Sequence, residues 1–164
     1  MLPIDASSSL LVTGEIPRNT NFEKGFPFQY AEKPHNDSND VKNNLKGLVR
    51  DPLVKDDQAI VMNVGNKGLV VITGCGHAGI INAVNYAKQV TGIDKSYSVV
   101  GGFHLPADGG LFEDAIDPTL KELQKLNLRH IIPCHYTGWK ATNKIINLMP
   151  NKFIQSAVCT TFIF

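Results

Sequence analysis

From residue 58 onward, short β-rich runs alternate with longer runs whose apolar residues recur at helical spacing. A Gly-Asn-Lys-Gly turn joins the first two β-rich runs, which predicts a hairpin. The predicted strands cover 58–64, 68–73, 96–102 and 130–134, with one or two more in 152–164. The predicted helices cover 79–92, about 114–127 and 138–149, and Asp117 and Pro118 offer an alternative start for the second, as N-cap and N1. The order ββαβαβαβ predicts an α/β fold with parallel pairing in its sheet.

The amino-terminal part of the chain departs from this regular pattern. Residues 10–13 predict a short strand, whereas 15–57 is irregular and rich in proline and polar residues, with one helical turn predicted at 42–48. A long irregular stretch in a compact domain is typically functional or mobile, and both interpretations stay open. We therefore expect an N-terminal strand plus long loop region, 1–57, followed by an α/β region, 58–164.

Composition and charge exclude several classes of protein. The 164 residues suffice for one domain, and a hydrophobic content of 43% excludes disorder of the whole chain. The net charge of +1 gives no field for nucleic acid or an anionic membrane, and no apolar run approaches the ~20 residues of a membrane span. The amino-terminal residues lack the pattern of a signal peptide. Three cysteines without a CxxC pair favour reduced thiols, so we expect a cytoplasmic protein.

Three histidines occupy the same position in the pattern, because His77, His104 and His135 each follow the end of a β-rich run. Crossover helices make such strands parallel, so their carboxyl ends share the sheet edge where ligands of open α/β sheets bind. Imidazole is the commonest ligand of zinc and related metals, and the pattern therefore predicts a shared polar or metal-binding site. The alternative for each residue is a hydrogen-bonded structural histidine. His35, in a polar run, is expected to be solvated, and His130, at the start of a strand, to be structural.

Several neighbouring residues admit two interpretations each. Cys75 and Cys134 are either soft metal ligands or small packing residues, since their spacing matches no zinc-binding motif. Asp56 and Asp57 either cap a turn or reach toward the site. Trp139 is either a core anchor or a wall of the cleft.

Two basic features predict no site of their own. Lys140, Lys144 and Lys152 form a weak scatter that is typical of a solvated face. The segment NVGNKG at 63–68 lacks the spacing of a Walker motif, so a phosphate-binding loop is not predicted there.

Several ordered motifs resemble one family. VVITGCGHAGIINAV (70–84), VVGGFHLP (99–106) and IIPCHYTGWKA (131–141) are similar to segments of the metallo-β-lactamase-fold metallohydrolases. The closest branch is the one related to 7,8-dihydropterin-6-methyl-4-(β-D-ribofuranosyl)aminobenzene-5′-phosphate synthase. LVTGEIPRNTNFEKG (11–25) and DDQAIVMNV (56–64) match the same branch, and the resemblance covers roughly residues 10–164.

The resemblance implies an αββα sandwich that holds one or two divalent metal ions, usually zinc and sometimes iron or manganese. It implies that His77 and His135 are metal ligands and that His104 is a catalytic-site residue, as a ligand or a substrate contact. The implied chemistry is attack of a metal-bound hydroxide on an ester, phosphoester or lactam-like carbonyl of a small molecule. The branch suggests a pterin- or phosphate-bearing substrate.

One departure from the family pattern changes these expectations. The family's HxHxDH motif, which supplies most of the metal ligands, is absent, so the chain is expected to be the carboxyl-terminal half of the sandwich. The missing ligands imply a weak or empty metal site and little or no activity of this chain alone. Three hypotheses follow: a half-enzyme completed by an N-terminal half-domain, a non-catalytic α/β remnant, or an interaction module. The third rests on the sheet face that a half-sandwich leaves uncovered, which invites self-association or binding.

Overall fold

The hairpin and crossover helices predicted from the hydrophobic pattern define the architecture. The computed structural model describes residues 10–32, 48–106 and 112–164. The strands are β1 (Leu10–Val12), β2 (Tyr30–Glu32), β3 (Leu48–Arg50), β4 (Ala59–Val64), β5 (Gly68–Thr73), β6 (Ser96–Gly101) and β7 (His130–Pro133). The helices are α1 (Ile80–Thr91), α2 (Glu113–Lys125) and α3 (Trp139–Leu148).

One five-stranded sheet carries the fold, in the order β1-β4-β5-β6-β7. The first two pairings are antiparallel, and β5 pairs parallel with β6, as β6 does with β7. This is the mixed α/β fold predicted from the order of elements. β1 belongs to this sheet although it precedes the irregular stretch, within which β2 and β3 form a separate two-stranded sheet. Within the described residues, no helix has the length and apolarity that a membrane span requires.

The three helices share a hydrophobic core with one face of the sheet. Register places Val61, Val71, Val99 and Ile131 on this face, and all four are almost fully buried. Each of the three helices adds apolar residues to the same core; among them are Val84, Leu120 and Ile145. Burying such side chains stabilises the fold by roughly 1.5–3 kcal/mol each.

The opposite face of the sheet is apolar and partly open to solvent. Leu10, Val12 and Ile60 are 56%, 52% and 39% exposed, and the β1–β4 register places them on one face together with Met62. A sheet face of this kind normally packs against a second layer.

Two local predictions need correction. Helix α2 begins at Glu113, close to the predicted start at about 114, so the alternative start at Asp117 is wrong and Pro118 lies inside the second turn. The missing amide of Pro118 costs one hydrogen bond near the helix start, where burial of apolar residues on the following turns outweighs it.

The strands predicted in 152–164 are reduced to an isolated bridge between Phe153 and Ile131. Beyond this bridge the described tail contains no strand, and Val158 and Ile163 are almost fully exposed. The helical turn predicted at 42–48 lies almost wholly outside the described residues, and its last residue, Leu48, begins β3.

Glycine backbones let the loops after β5 and β6 touch. Gly76 has a φ of +72°, and a Cβ there would lie 2.2 Å from the carbonyl oxygen of Gly102. The amide of Gly102 donates to the carbonyl oxygen of Gly74 at 2.8 Å, which closes the contact. Because His77 directly follows Gly76 and His104 lies two residues after Gly102, the close approach brings the two histidines together.

Replacing Gly76 with alanine tests this packing. Gly76→Ala introduces a clash and places an alanine at a positive φ, where its side chain is strained. The free energy of unfolding is therefore expected to fall by about 2–4 kcal/mol. Gly74→Ala is the matched control, since a Cβ there meets nothing within 4 Å, and it is expected to change stability by about 0.5 kcal/mol or less. Equal urea-unfolding curves for the two variants would contradict the close approach.

Candidate functional site

The carboxyl edge of the parallel strands brings two of the three predicted histidines into contact. The ring centroids of His77, after β5, and His104, after β6, lie 4.7 Å apart in an edge-to-face arrangement. His77 is partly exposed, with 22% of its side chain open to solvent, whereas His104 is 6% exposed.

His104 is buried in a strained conformation without a hydrogen-bond partner for Nε2. Its φ of +49° lies in the left-handed region, which a non-glycine residue adopts only where the surroundings enforce it. Burial, and to a lesser degree the neighbouring His77, lower the pKa of His104 to about 4. The imidazole is therefore neutral near pH 7. Its buried Nε2 meets no donor or acceptor of the described residues.

Aromatic rings enclose His104 on several sides. Tyr136 stacks on it with an interplanar angle of 3° and ring centroids 5.6 Å apart. Phe112 and Phe26 meet it edge-on, at 4.8 Å and 5.8 Å. A small cavity lies beside these rings, and His77, His104, Phe112 and the backbone around Gly76 are among the residues that line it.

Asp57 lies beside the loop that carries His77. Of the two interpretations given for it, a turn cap or a residue that reaches toward the site, the structure favours the second. Its Oδ2 accepts a hydrogen bond from the amide of Ala78 at 2.7 Å, and its Oδ1 lies 3.8 Å from Nδ1 of His77. Asp57 therefore fixes the loop that carries His77 and lies next to the ring itself. The distance between Oδ1 and Nδ1 is too long for a hydrogen bond, so the carboxylate borders the imidazole and is bonded to the loop rather than to the ring.

His135 lies on the same edge but next to different neighbours. Its Nε2 is 3.4 Å from Sγ of Cys75, and its ring is 6.3 Å from that of Tyr136, which also borders the other two histidines. His135 is exposed, and with Trp139 it lines an open groove beside α3. Trp139 is 74% exposed, so it is a groove wall rather than a core anchor.

Of the remaining predicted residues, His130 lies away from the site, whereas the two cysteines lie beside His135. His130 begins β7 at the opposite edge of the sheet, with its ring 5.5 Å from Tyr97. Cys134 and Cys75 are both partly buried, and the thiol of Cys134 donates to the carbonyl oxygen of Ile132. His35 falls outside the described residues.

A buried carboxylate from the irregular segment caps helix α1, which begins three residues after His77. The amides of Ile81 and Asn82 donate to Oε1 and Oε2 of Glu23, at 2.8 Å and 2.9 Å. These are amides of the first helical turn, which have no partner within the helix. The residue at the N-cap position is Gly79, which has no side chain to satisfy them.

Thr20 and Asn82 extend this cap into a network. The Thr20 hydroxyl donates to Oε2 of Glu23 at 3.0 Å, and Oδ1 of Asn82 accepts from the amides of Asn19 and Thr20 at 3.0 Å. A Cβ at Gly79 would collide with the Glu23 side chain, so only glycine lets the carboxylate approach. The segment that bears Phe22, Glu23 and Phe26 is thereby fastened against the histidine loop.

The described residues alone do not form a metal centre. No three of their His, Cys, Asp and Glu side chains lie close enough together to hold a metal ion. They provide two pairs of donors instead: His77 with Asp57, and His135 with Cys75. A catalytic zinc site normally has three protein ligands, so neither of these pairs is a complete metal centre.

Comparisons with known proteins agree with the fold. No family model matches the chain. The structure superposes on that of Tm1679, a metal-dependent hydrolase of the β-lactamase superfamily, with a TM-score of 0.73 at 24% identity. The superposition covers 99% of this chain and 56% of that chain.

Two proteins of Methanocaldococcus jannaschii are similar in sequence. 7,8-Dihydropterin-6-methyl-4-(β-D-ribofuranosyl)-aminobenzene-5′-phosphate synthase is 37% identical over 99 residues, which are 60% of this chain and 32% of the relative. The uncharacterized protein MJ0448 is 31% identical over 156 residues, which are 95% of this chain and 50% of the relative. The chain thus spans half or less of the length of these relatives.

The chain thus resembles known proteins both in its fold and in part of its sequence. Its α/β fold is that of a metal-dependent hydrolase of the β-lactamase superfamily, and part of the chain is similar in sequence to the dihydropterin-related phosphate synthase. The resemblance inferred from the motifs is therefore confirmed.

The sequence pattern did not identify Glu23, Phe26 or Phe112 as residues of this site. Thr20 and Glu23 have the Thr-x-x-Glu spacing of a capping box, which was the one available signal. No apolar helical run follows them, because the helix that Glu23 caps lies more than fifty residues further along the chain. The two phenylalanines carry no local signal, since their role depends on tertiary contacts.

Removing the charge of Glu23 is expected to change how stability depends on pH. Burial raises the pKa of Glu23 from its ordinary 4.5 to about 7, against the lowering by the amides of Ile81 and Asn82. Between these values the folded state binds the proton more tightly than the unfolded state, so Glu23 makes stability fall as pH rises. The wild type is expected to lose up to about 3 kcal/mol relative to Glu23→Gln across this window.

Urea unfolding at several pH values measures this difference. Glu32→Gln, at an exposed position in β2, is the control and is expected to parallel the wild type. His104 changes stability with pH in the opposite direction, because its lowered pKa makes stability fall as pH drops below 6.5. Both variants keep His104, so the free energy of unfolding of each is compared with that of the wild type at the same pH. Parallel profiles for the wild type and Glu23→Gln would contradict a buried, titrating carboxylate.

Proposed function

We propose that this chain forms the carboxyl-terminal part of a metal-dependent hydrolase site that acts on a small molecule. The observation that carries the proposal is the contact of His77 with the buried, unpartnered His104 at the carboxyl edge of β5 and β6. The likeness to a metal-dependent hydrolase supports it. In this proposal His77 and His135 bind a divalent metal ion, with further donors from outside the described residues. The imidazole and thiol donors favour zinc over iron or manganese.

His104 is the proposed catalytic residue. A neutral imidazole has one donor and one acceptor nitrogen, and the proposal assigns the substrate contact to the buried Nε2 of His104, which pairs with no described residue. The rings of Phe26, Phe112 and Tyr136 keep water away from that nitrogen. A hydrogen bond made in such surroundings is stronger than one in water.

The proposed substrate is a pterin- or phosphate-bearing small molecule. Part of the chain is similar to a phosphate synthase whose name states a dihydropterin and a phosphate, which supports this proposal. The aromatic rings beside His104, such as that of Phe112, also suit a planar group such as a pterin. An N-terminal half-domain or a second copy would supply the remaining donors. A cytoplasmic location belongs to the same proposal and is supported by the three free cysteines.

Zinc binding tests the assignment of the ligands. His77→Ala and His135→Ala are each expected to weaken zinc binding about tenfold or more, because each removes one of few donors. His130→Ala is the control, since His130 lies at the opposite edge of the sheet, and it is expected to leave binding unchanged. The measurement is equilibrium dialysis with elemental analysis. Less than about a tenth of an ion per chain, unaltered by His77→Ala, would refute the metal proposal.

A non-catalytic interaction module is the second candidate. It is favoured by the exposed face of Leu10, Val12 and Ile60 and by the lack of a three-donor cluster among the described residues. Under this alternative the chain self-associates or pairs with an N-terminal half through that face.

Sedimentation velocity measures this association. Val12→Asp is expected to shift an associating chain to the monomer, whereas Val158→Asp, on the 94% exposed tail, is expected to have no effect. A wild-type monomer that binds no hydrophobic dye would count against the interaction module.

A further inference from the structure

A second groove lies at the edge of the sheet opposite the histidines. It has a volume of about 450 Å³ and is formed where β5, β6 and β7 begin. Four cationic residues line it: Lys67, Lys95, Arg129 and Lys152. They come from three loops and from the segment after α3, so the fold assembles a cluster that is not contiguous in sequence.

Among the described residues, no aspartate or glutamate side chain pairs with the cations of this groove. No aspartate or glutamate is among its described lining residues, and none of its four cations forms an ion pair with a described residue. Two other lysines behave differently, because Lys140 pairs with Glu113 and Lys144 with Asp117. The scatter predicted from Lys140, Lys144 and Lys152 thus separates into two neutralised lysines and one that belongs to the groove.

Neutral groups hold the groove's lysines in place. Nζ of Lys95 donates to the carbonyl oxygen of Asn66 at 2.9 Å, and Nζ of Lys152 donates to Oδ1 of Asn127 at 3.3 Å. Nζ of Lys67 lies 5.7 Å from the centre of the Tyr97 ring. These contacts orient the ammonium groups while leaving their charge available to a ligand.

Ser96 adds an unsatisfied hydroxyl to the same place. It is the first residue of β6, it lines the groove, and it is 6% exposed. Its Oγ has no hydrogen-bond partner among the described residues. A buried hydroxyl without a partner costs free energy, which a ligand that bonds to it would recover.

We infer that this groove binds a small phosphate-bearing anion. Lysine and arginine side chains together with a hydroxyl are the groups that recognise phosphate oxygens. The volume lies in the range of small-molecule sites, and a chain of net charge +1 lacks the extended field that a nucleic-acid strand requires. The site is separate from the histidine edge and needs no metal ion.

Titration of the metal-free chain with pyrophosphate, followed by amide NMR shifts, tests the inference. The shifts are expected at residues 65–68, 95–97 and 127–129 and are expected to weaken as salt rises from about 0.05 M to about 0.5 M. The double variant Lys67→Gln/Lys95→Gln is expected to reduce affinity about tenfold or more, since each lost charge removes one phosphate contact. Thermal unfolding of the variant checks that it is folded.

The matched control is Lys140→Gln/Lys144→Gln, which removes the same charge from paired lysines and is expected to change affinity by less than about twofold. ADP and adenosine identify the source of the phosphate. Adenosine is expected not to bind, and ADP binding more tightly than pyrophosphate would identify the phosphoryl group of a nucleotide. Equal affinity of ADP and pyrophosphate would identify a free polyphosphate.

Three results would overturn the inference. The first is equal loss of affinity in both double variants, which would indicate charge screening alone. The second is a set of shifts confined to the histidine edge. The third is much tighter binding of a short single-stranded DNA than of pyrophosphate, which would make the ligand a nucleic acid.

Discussion

The carboxylate of Glu23 at the start of helix α1 is the interaction on which the candidate site depends. It satisfies two amides that the helix cannot satisfy, and it does so from a segment that is more than fifty residues away in sequence. The cap has two consequences. It fixes the first turn of α1 directly after the loop of His77, and it fastens the segment of Phe26 against the rings of His77 and His104. An irregular stretch that sequence alone leaves open as functional or mobile is, in its first part, a wall of the site.

Burial favours the neutral forms of two side chains at the site, and so it shifts their pKa values in opposite directions. It keeps His104 neutral near pH 7 by lowering its pKa, and it raises the pKa of Glu23 toward neutrality. The positive φ values of His104 and Tyr136 add backbone strain at the same place. Such strain persists only where surrounding packing enforces it, and here the touching glycine loops supply that packing. The site is therefore maintained at the expense of local stability, which is typical of functional sites.

The sequence predicts the regular part of the fold because its apolar residues follow strand and helix periods. The hairpin of β4 and β5, the three helices and the strand-then-histidine order all follow from local pattern. What could not be predicted depends on tertiary contact. The cap of Glu23 and the rings around His104 require partners that are distant in sequence. The groove of Lys67 and Lys95 likewise contains cationic residues that show no cluster in the sequence and come together only in the fold. In the tail, by contrast, the sequence predicts strands that the structure does not contain. β propensity at 152–164 does not create a strand where no neighbouring strand pairs along its length.

Hydrogen exchange of the Ile81 and Asn82 amides measures directly whether Glu23 caps α1. First-turn amides of a helix normally exchange quickly, because they have no partner within the helix. If the Glu23 carboxylate caps α1, both amides will exchange as slowly as the interior amide of Val84. Exchange at the rate of an unprotected helix start would show that Glu23 does not hold the irregular segment against α1, and the account of the site built on it would fail.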